Sequence, residues 1–514
     1  MTIEILSELD SLAMAVLEIE EDIKDYMQVA AILESLGITR EIARSYGFED
    51  VFSLSKAVME LIDYYKSRQE TVSEEKRSLT EKLKEGVVLF LLGLLSGSPW
   101  LLSTISFSLT GVSLYSIVNA DIKVATVIGL ALIASLLATS GIQSVFMRKV
   151  LFYTYQLAYG VALRFLTLYY LIGTSTVIFS GILFYLLLSP VFPPNLTSLG
   201  LIYFLALSML WLATAPLYAL KKYTVLFLVF VMALFVVNVA LYESSLDFVR
   251  AHIYGIFFGI LASMIYLFVY IYVRFTLIRA VSEETVVRLP SLSLTLLLGT
   301  PYFIASVLYF LLIVADQLVV WTRVGSPLLM DLNYETGKNL ALLILPPLFG
   351  LVHYFLIKLY KLIEEGGRSR IRDRIEYCRT VVSFYKRAIF SVIIAGTLIL
   401  LLIYFLSLKG KVVWKVSEES LLVLRAAGIG NILLAVVLIN SLISFYLYRP
   451  KLMLYSLLLG LILNLALSFL ISQRYGIYYA SLSYLLGCLA SGVVSSLQII
   501  RSLRRIDYYY YTAF

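Results

Sequence analysis

Few side chains in this 514-residue sequence could do chemistry, and most of them lie inside long apolar runs. There are two histidines and two cysteines. Two histidines do not make a multi-histidine metal site. Cys378 and Cys488 show no Cys-x-x-Cys spacing, so neither a zinc site nor a disulfide framework is expected. His353 falls near the middle of the apolar run 338–361, just behind Pro346 and Pro347. An ionisable group at bilayer depth is costly, and an imidazole there could carry a coupling proton or, as the neutral form, tie two helices. Asp316 and Gln317 end the run 292–316. Asp316 could attract a cationic amino sugar or a coupling ion; an interfacial pairing with Lys338 or Arg323 is the expected use. Arg425, one turn into 421–447, could grip an anionic sugar or a phosphate, but its long side chain is expected to snorkel outward. Arg164 has the same choice. Gln143, Asn238, Asn431, Asn440 and Asn464 are amides within apolar runs. They could line a hydrogen-bonding path for a sugar, or tie helices together at about 1 kcal/mol each, the use expected of Asn238 and Asn464. Trp100 could stack on a sugar ring. Pro99 and Pro301 each remove a backbone hydrogen bond and bend a helix, as paired hinges or gates or as packing features. No nucleophile–base pair and no phosphate-cradling Gly-rich loop ending in Lys-Ser/Thr is present. No covalent catalysis, ATP hydrolysis or cofactor is therefore expected. Asn195-Leu196-Thr197 matches a glycosylation sequon, and is read as chance.

The elements that must position these residues are membrane helices. The chain is 60% hydrophobic and 15% charged, with a mean hydropathy of +0.90. A soluble domain keeps roughly a quarter of its residues charged. Twelve apolar stretches approach or exceed the ~20 residues that span a bilayer. They cover about 87–113, 122–146, 163–189, 198–220, 224–242, 252–275, 292–316, 338–361, 388–408, 421–447, 452–472 and 477–500. Polar and apolar residues do not alternate along them, which argues against a β-barrel.

Charge divides the chain. Residues 1–85 hold 19 Asp/Glu against 10 Lys/Arg, and the remainder holds 15 against 31. The first part reads as a small acidic, cytoplasmic helical domain, with Leu6, Leu9, Leu12, Val16 and Ile19 at helical spacing. Gly37 and Gly47 punctuate its helices, and Glu74-Glu75-Lys76-Arg77 lead into the first span. No cleavable signal peptide is expected. With the N-terminus inside, the outer loops carry 8 Lys/Arg, among them Lys123, Arg250, Lys338, Lys411 and Lys415, and the inner loops and C-terminus carry 21. That asymmetry is the positive-inside pattern, and it places both termini in the cytoplasm. The longest inner loop, 362–387, is basic; the longest outer loop is about 317–337. The basic excess points to anionic lipid, not to nucleic acid.

The apolar part repeats itself. Gly97-Ser98-Pro99-Trp100-Leu101-Leu102 in span 1 matches Gly299-Thr300-Pro301-Tyr302-Phe303-Ile304 in span 7, 202 residues later. Spans 4–5 and 10–11 are each joined by a very short basic turn, Lys221-Lys222 and Arg449-Pro450-Lys451. Two six-span halves that both start inside form a parallel repeat about an axis along the membrane normal. The expected organisation is an acidic domain over 1–85, one six-helix lobe over 86–280 and a second over 281–514. Such repeats place a substrate cavity between the halves.

Several segments resemble the Pel exopolysaccharide exporter family. They are Ser96 through Ser103, Trp211 through Tyr223, Ala315-Asp316-Gln317 running to Trp321, Leu345-Pro346-Pro347, and Leu503-Arg504-Arg505-Ile506-Asp507-Tyr508-Tyr509. They occur in the family's order over about 86–510. That family is similar to the flippases and multidrug exporters that share a twelve-span, two-lobed (MATE-like) fold. The resemblance implies export of an exopolysaccharide or glycolipid across the cell membrane, beside a membrane glycosyltransferase or synthase. The acidic N-terminal domain is longer than the family's usual segment. A drug antiporter or a lipid-linked oligosaccharide flippase of the same fold is the competing reading. The antiporter needs a compact apolar cavity with one or two buried carboxylates, and no Asp or Glu is expected at midplane. A membrane glycosyltransferase needs an acidic catalytic group and usually a large outer loop, and the outer loops here are short.

Overall fold

The computed structural model describes residues 3–20, 23, 25–62, 79–110, 113–114, 121–156, 158–242, 247–279, 291–325, 328–368, 374–409, 416–506 and 508. Glu74-Glu75-Lys76-Arg77, Lys411, Lys415, Asp507 and Tyr509 lie outside the described residues. Every element among the described residues is helical. Two compact units are present: Met1–Gly86 with Glu364–Arg372, and Val87–Ile363 with Asp373–Phe514.

The first unit contains α1 (Ile3–Ile19), α2 (Tyr26–Ser35), α3 (Arg40–Ser45) and α4 (51–62). Local chemistry sets each boundary. Asp25 accepts from the Gln28 amide and Thr39 from the Ile42 amide at the starts of α2 and α3. Gly37 and Gly47 follow these helices at φ 86° and 85°, where a side chain would be strained. Asp50 and Ser53 bond each other's backbone amide reciprocally before α4. The amide of Ser53, then its hydroxyl, hold the Asp50 carboxyl below its usual range. The apolar stripe of α1 meets α2 and α4 in a core of Leu9, Ala13, Val16, Leu33, Leu54 and Ile62.

The second unit is the membrane part. Span 1 is a helix pair, α5 (Leu79–Ser96) and α6 (Ser98–Thr110), bent by 66° at Gly97. Spans 2–6 are α7 (Ile122–Tyr155), α8 (Tyr159–Leu188), α9 (Pro194–Ala219), α10 (Tyr223–Tyr242) and α11 (Phe248–Arg279). Span 7 is α12 (Leu292–Val324). Span 8 is α13 (Leu332–Leu342) followed by α14 (Leu345–Arg368). Spans 9–12 are α15 (Arg374–Lys409), α16 (Glu418–Tyr446), α17 (Lys451–Tyr475) and α18 (Ser481–Leu503), the last preceded by a 3-10 turn, Ile477–Ala480. Eleven of these are long and apolar enough to cross a bilayer, and counting the bent pair as one span gives twelve.

The repeat is visible in how the helices pair. In the first half α7 packs on α9, α9 on α11, α10 on α11 and α6 on α10. In the second, α13 packs on α16, α16 on α18, α17 on α18 and α12 on α17. Each half closes its own apolar core, around Phe165, Tyr203 and Phe230 in one and Tyr385, Leu434 and Ile443 in the other. The two basic turns are built alike. Lys221 and Tyr448 both take the left-handed conformation, at φ 55° and 54°, without being glycine. The amide after each, Lys222 and Arg449, reaches the carbonyl five residues back, Leu217 and Ser444, at 2.8 Å. The halves also meet symmetrically, α7 against α12 and α13 against α6.

Several boundaries differ from the sequence expectation, because helices run past the apolar stretches. The outer connection 317–337 shrinks to 325–331, because α12 extends to Val324 and α13 starts at Leu332. Lys338, expected in that loop, is therefore in a helix and buried. The basic segment 362–387 is largely helical, as the end of α14 and the start of α15. Asn195 lies in the first turn of α9 and Thr197 is fully buried, so the sequon is not a loop feature.

Pro99 and Pro301 are not equivalent. Pro99 follows the break at Gly97, whereas Pro301 lies inside the continuous α12. The expected pair of matching bends is thus replaced by one sharp bend in span 1. The cause lies in the neighbours. A Cβ on Gly93 would stand 2.6 Å from the Phe349 carbonyl oxygen and 2.8 Å from the Gly350 Cα, and one on Gly97 would meet Phe349 and Pro346. α5 and α14 thus approach backbone to backbone through Gly93-x-x-x-Gly97, a spacing that allows close helix contact. Gly93→Ala should lower the stability of the detergent-solubilised protein by about 1–3 kcal/mol, because backbone must shift to admit the methyl group. A thermal melt unchanged from wild type would refute this account of the seam.

Candidate functional site

Between the two halves of the membrane unit lies a cavity of about 280 Å³. Its first-lobe wall is mostly apolar but includes hydroxyls: Trp100, Ser103 and Thr104 from α6, Ser113, and Gly129, Leu132, Ile133 and Leu136 from α7. Its second-lobe wall is aromatic and polar: Tyr309, Phe310, Gln317 and Trp321 from α12, Glu335, Lys338 and Asn339 from α13, and Asn431 from α16.

The polar wall is built around two carboxylates. Asp316 is fully buried. It accepts from Lys338 Nζ at 3.1 and 3.0 Å and from the Tyr334 hydroxyl. Lys338 also donates to the Ile313 carbonyl at 3.1 Å and sits 3.8 Å from the centroid of the Tyr484 ring. The Tyr484 hydroxyl donates to Asn431 Oδ1 at 2.6 Å. Glu335 accepts from Gln317 Nε2 at 2.6 Å and from Trp321 Nε1 at 2.8 Å. Asp331 caps α13 by accepting from the Tyr334 amide, which fixes the register that turns Tyr334, Glu335 and Lys338 inward. Asp316 and Glu335 are nonetheless buried rather than interfacial: α12 runs two turns past Asp316, and α13 forms where a loop was expected, so both carboxylates are enclosed by helices.

The first-lobe wall has its own support. Trp100 stacks on Trp211 with ring centroids 6.1 Å apart and planes 17° apart. Trp211 Nε1 donates to Ser135 Oγ at 3.1 Å. Across the interface, the Met330 amide donates to Thr126 Oγ1 at 3.0 Å.

The expected site residues separate into two groups. Trp100 and Asn431 line the cavity, and Asp316 stands directly behind it. Asn440 ties helices instead: it accepts from the Tyr385 hydroxyl and donates to Ser495 and Ser496. Asn464 donates to the Leu312 carbonyl and accepts from Ser468 and Ser483. Asn238 donates to Leu234 within its own helix. Gln143 is half-buried in α7 away from the cavity wall. His353 is half-buried, edge-on to Tyr223 at 6.2 Å, and belongs to the α5–α14 seam. Arg425 is exposed, near the Tyr404 ring, and Arg164 is exposed too. Pro99 and Pro301 do not line the cavity.

Apolar patterning does not group Glu335, Lys338, Gln317 and Trp321 as one site, because the charges in 331–338 resemble those of a loop. A signal is present in Asp331-Leu332-Asn333-Tyr334-Glu335, a helix cap followed by inward-facing residues at helical spacing. His252, in α11, is a further group that the sequence does not single out. It is fully buried against Tyr203 and Phe248.

Two lobes of six spans, facing each other across a cavity, define a membrane transporter fold. Solved structures agree. A point mutant of the Vibrio cholerae MATE transporter VcmN matches with a TM-score of 0.56 and 15% identity, over 84% of this chain and 98% of that one. A multidrug resistance MATE family transporter of the MOP superfamily, in an outward-facing conformation, gives 0.57 and 13%, over 82% and 96%. A MOP superfamily transporter from Pyrococcus furiosus gives 0.55 and 14%, over 81% and 96%. No curated protein sequence matches the chain. Residues 89–511 match the model of the PelG family, described as "Putative exopolysaccharide Exporter (EPS-E)", and the chain belongs to that family.

Trp321→Phe should destabilise the protein by about 1–3 kcal/mol, because it strips a donor from the buried Glu335. Trp321→Phe with Glu335→Leu should recover part of that loss, since no carboxylate is then left short of a donor. Denaturation in detergent checks both. Equal losses in the single and double variants would show that the indole's packing, not its N–H, matters.

Proposed function

We propose that the chain exports an exopolysaccharide, or a sugar-based precursor of one, by opening and closing its two lobes around the cavity. Membership of the PelG family supports the substrate class, and the cavity between the lobes supports the mechanism. The observation that carries the reading is the composition of the walls. A sugar ring offers apolar faces and hydroxyl edges. Trp100, Tyr309, Phe310 and Trp321 offer faces, and Gln317, Glu335, Asn339 and Asn431 offer hydrogen-bonding groups. At about 280 Å³ the cavity lies just below the size of small-molecule sites, which run roughly 300–1,000 Å³. A polymer strand would require the lobes to part. We read the chain as a carrier and assign it no catalytic group.

We place it in the cell membrane with both termini in the cytoplasm, on the inside excess of Lys and Arg. The division into an acidic domain, 1–85, and lobes at 86–280 and 281–514 is part of the same reading. The acidic domain would dock a cytoplasmic or membrane partner, a synthase being the partner that would feed such a carrier.

A second reading has one observation in its favour. Glu335 faces the cavity among neutral donors, as a site for a cationic small molecule would require.

Deleting the gene should abolish secreted polysaccharide, and complementation should restore it. Complementation with Trp100→Ala or Glu335→Gln, at matched membrane levels, should cut secretion at least about tenfold, the loss of one or two hydrogen-bond or stacking contacts. Unchanged polymer in the deletion strain, with altered sensitivity to cationic drugs, would overturn the exporter reading in favour of the antiporter.

A further inference from the structure

Lys338 does more than complete a salt bridge. Its ammonium is held by both carboxylate oxygens of Asp316, by the Ile313 carbonyl and by the face of the Tyr484 ring, at 3.0–3.1 Å from the oxygens and 3.8 Å from the ring centroid. Carboxylate oxygen, backbone carbonyl oxygen and an aromatic face are the partners a bare monovalent cation takes when it leaves water. The shell is rigid from behind. Tyr334 donates to Asp316, Tyr484 is pinned by Asn431, and the neighbouring carbonyl of Leu312 accepts from Asn464. Asp316, Tyr334 and Tyr484 are fully buried. Lys338 nevertheless forms part of the cavity wall, so the ammonium position adjoins the space between the lobes. Glu335, by contrast, takes its hydrogen bonds from the neutral groups of Gln317 and Trp321. At Asp316 the chain supplies a full positive charge instead.

We propose that Ile313, Asp316 and Tyr484 form a monovalent-cation site that Lys338 fills with its own ammonium group, so that this position binds no exchangeable ion. Removing the lysine side chain opens the site to sodium, potassium or methylammonium. The charge balance favours this: an unpaired carboxylate in so enclosed a place is strongly destabilising, and a small cation entering from the cavity relieves it without a proton having to bind. A merely structural lysine, lost to alanine, would leave no site with affinity for a cation.

The experiment uses the purified full-length chain in detergent and reads the melting temperature at constant ionic strength. Sodium, potassium and methylammonium chlorides are compared with the chloride of N-methylglucamine, a cation too large for the site. The wild type should melt at the same temperature in all four. Lys338→Ala should melt lower in N-methylglucamine and rise saturably, by about 2–5 °C, with one of the small cations. Lys338→Ala with Asp316→Asn should show no such rise. A folded Lys338→Ala that ignores all three small cations overturns the proposal. So does a saturable wild-type response that Asp316→Asn removes, or a response that survives in the double variant. If Lys338→Ala is lost on extraction in N-methylglucamine, its recovery in a small-cation salt supports the site, and its failure in every salt overturns it. No export is measured, so either result leaves the exporter reading untouched.

Discussion

Inside a bilayer no bulk water completes an unfinished hydrogen bond, so a charge persists there only where the protein itself surrounds it. The Asp316–Lys338 pair is where this chain meets that demand. Lys338 brings α13 onto α12, and its contact with Tyr484 brings α18 to the same point. Tyr484 then reaches Asn431 in α16. Removing either charge would leave the other uncompensated in a low-dielectric interior, which is more costly than losing the pair together. One ion pair and its neighbours thus join the helices that form the polar wall, in the register that the Asp331 cap gives α13. Glu335, one position beyond Tyr334, is carried into that wall by the same register and met there by Gln317 and Trp321.

The two lobes share a plan and differ in use. Their helices pair alike and their basic turns adopt the same strained conformation, as two copies of one design would. The Gly-small-Pro motif, however, breaks the helix in span 1 and is absorbed by a continuous helix in span 7. Gly97 lies against Phe349 and Pro346 of α14, whereas Gly299 meets the Val145 side chain of α7. The break tracks the partner, not the motif. Polarity is divided in the same unequal way. The first lobe offers the cavity a stacked tryptophan pair, with Trp211 anchored by Ser135 and Trp100 held against it. Charge and amide groups belong to the second. A ligand between the lobes would meet hydroxyls and apolar groups on the first-lobe side, and the charged and amide groups on the second.

That division suits a carrier whose lobes must separate. Apolar contacts such as Gly129 against Trp321 are non-directional and can be broken and remade without leaving an unsatisfied donor. The directional bonds are concentrated within the second lobe, where Asn440 and Asn464 join helices that have no need to part. The Met330–Thr126 bond is an exception that crosses the interface.

Much of this architecture was legible in the sequence, because the bilayer imposes length and apolarity on each span and the positive-inside excess marks the loops. The twelve stretches follow from those constraints, while the repeat was carried by the Gly-small-Pro match and the paired basic turns. In the first unit, the caps at Asp25, Thr39 and Asp50 and the glycines at 37 and 47 act locally. The site was not legible in the same way. Asp316 and Lys338 were visible as a possible pair, but apolarity placed them at a surface, since a window of mean hydropathy ends where charge begins. Only the packing of α13 against α16 shows that charge and helix continue together there. The amides were likewise ambiguous, because Asn431 and Asn440 have the same composition around them and differ only in which helix face meets the cavity. What a residue can bond to is written in its type; what it does bond to depends on neighbours far away in the chain, and those only the folded lobes bring within reach.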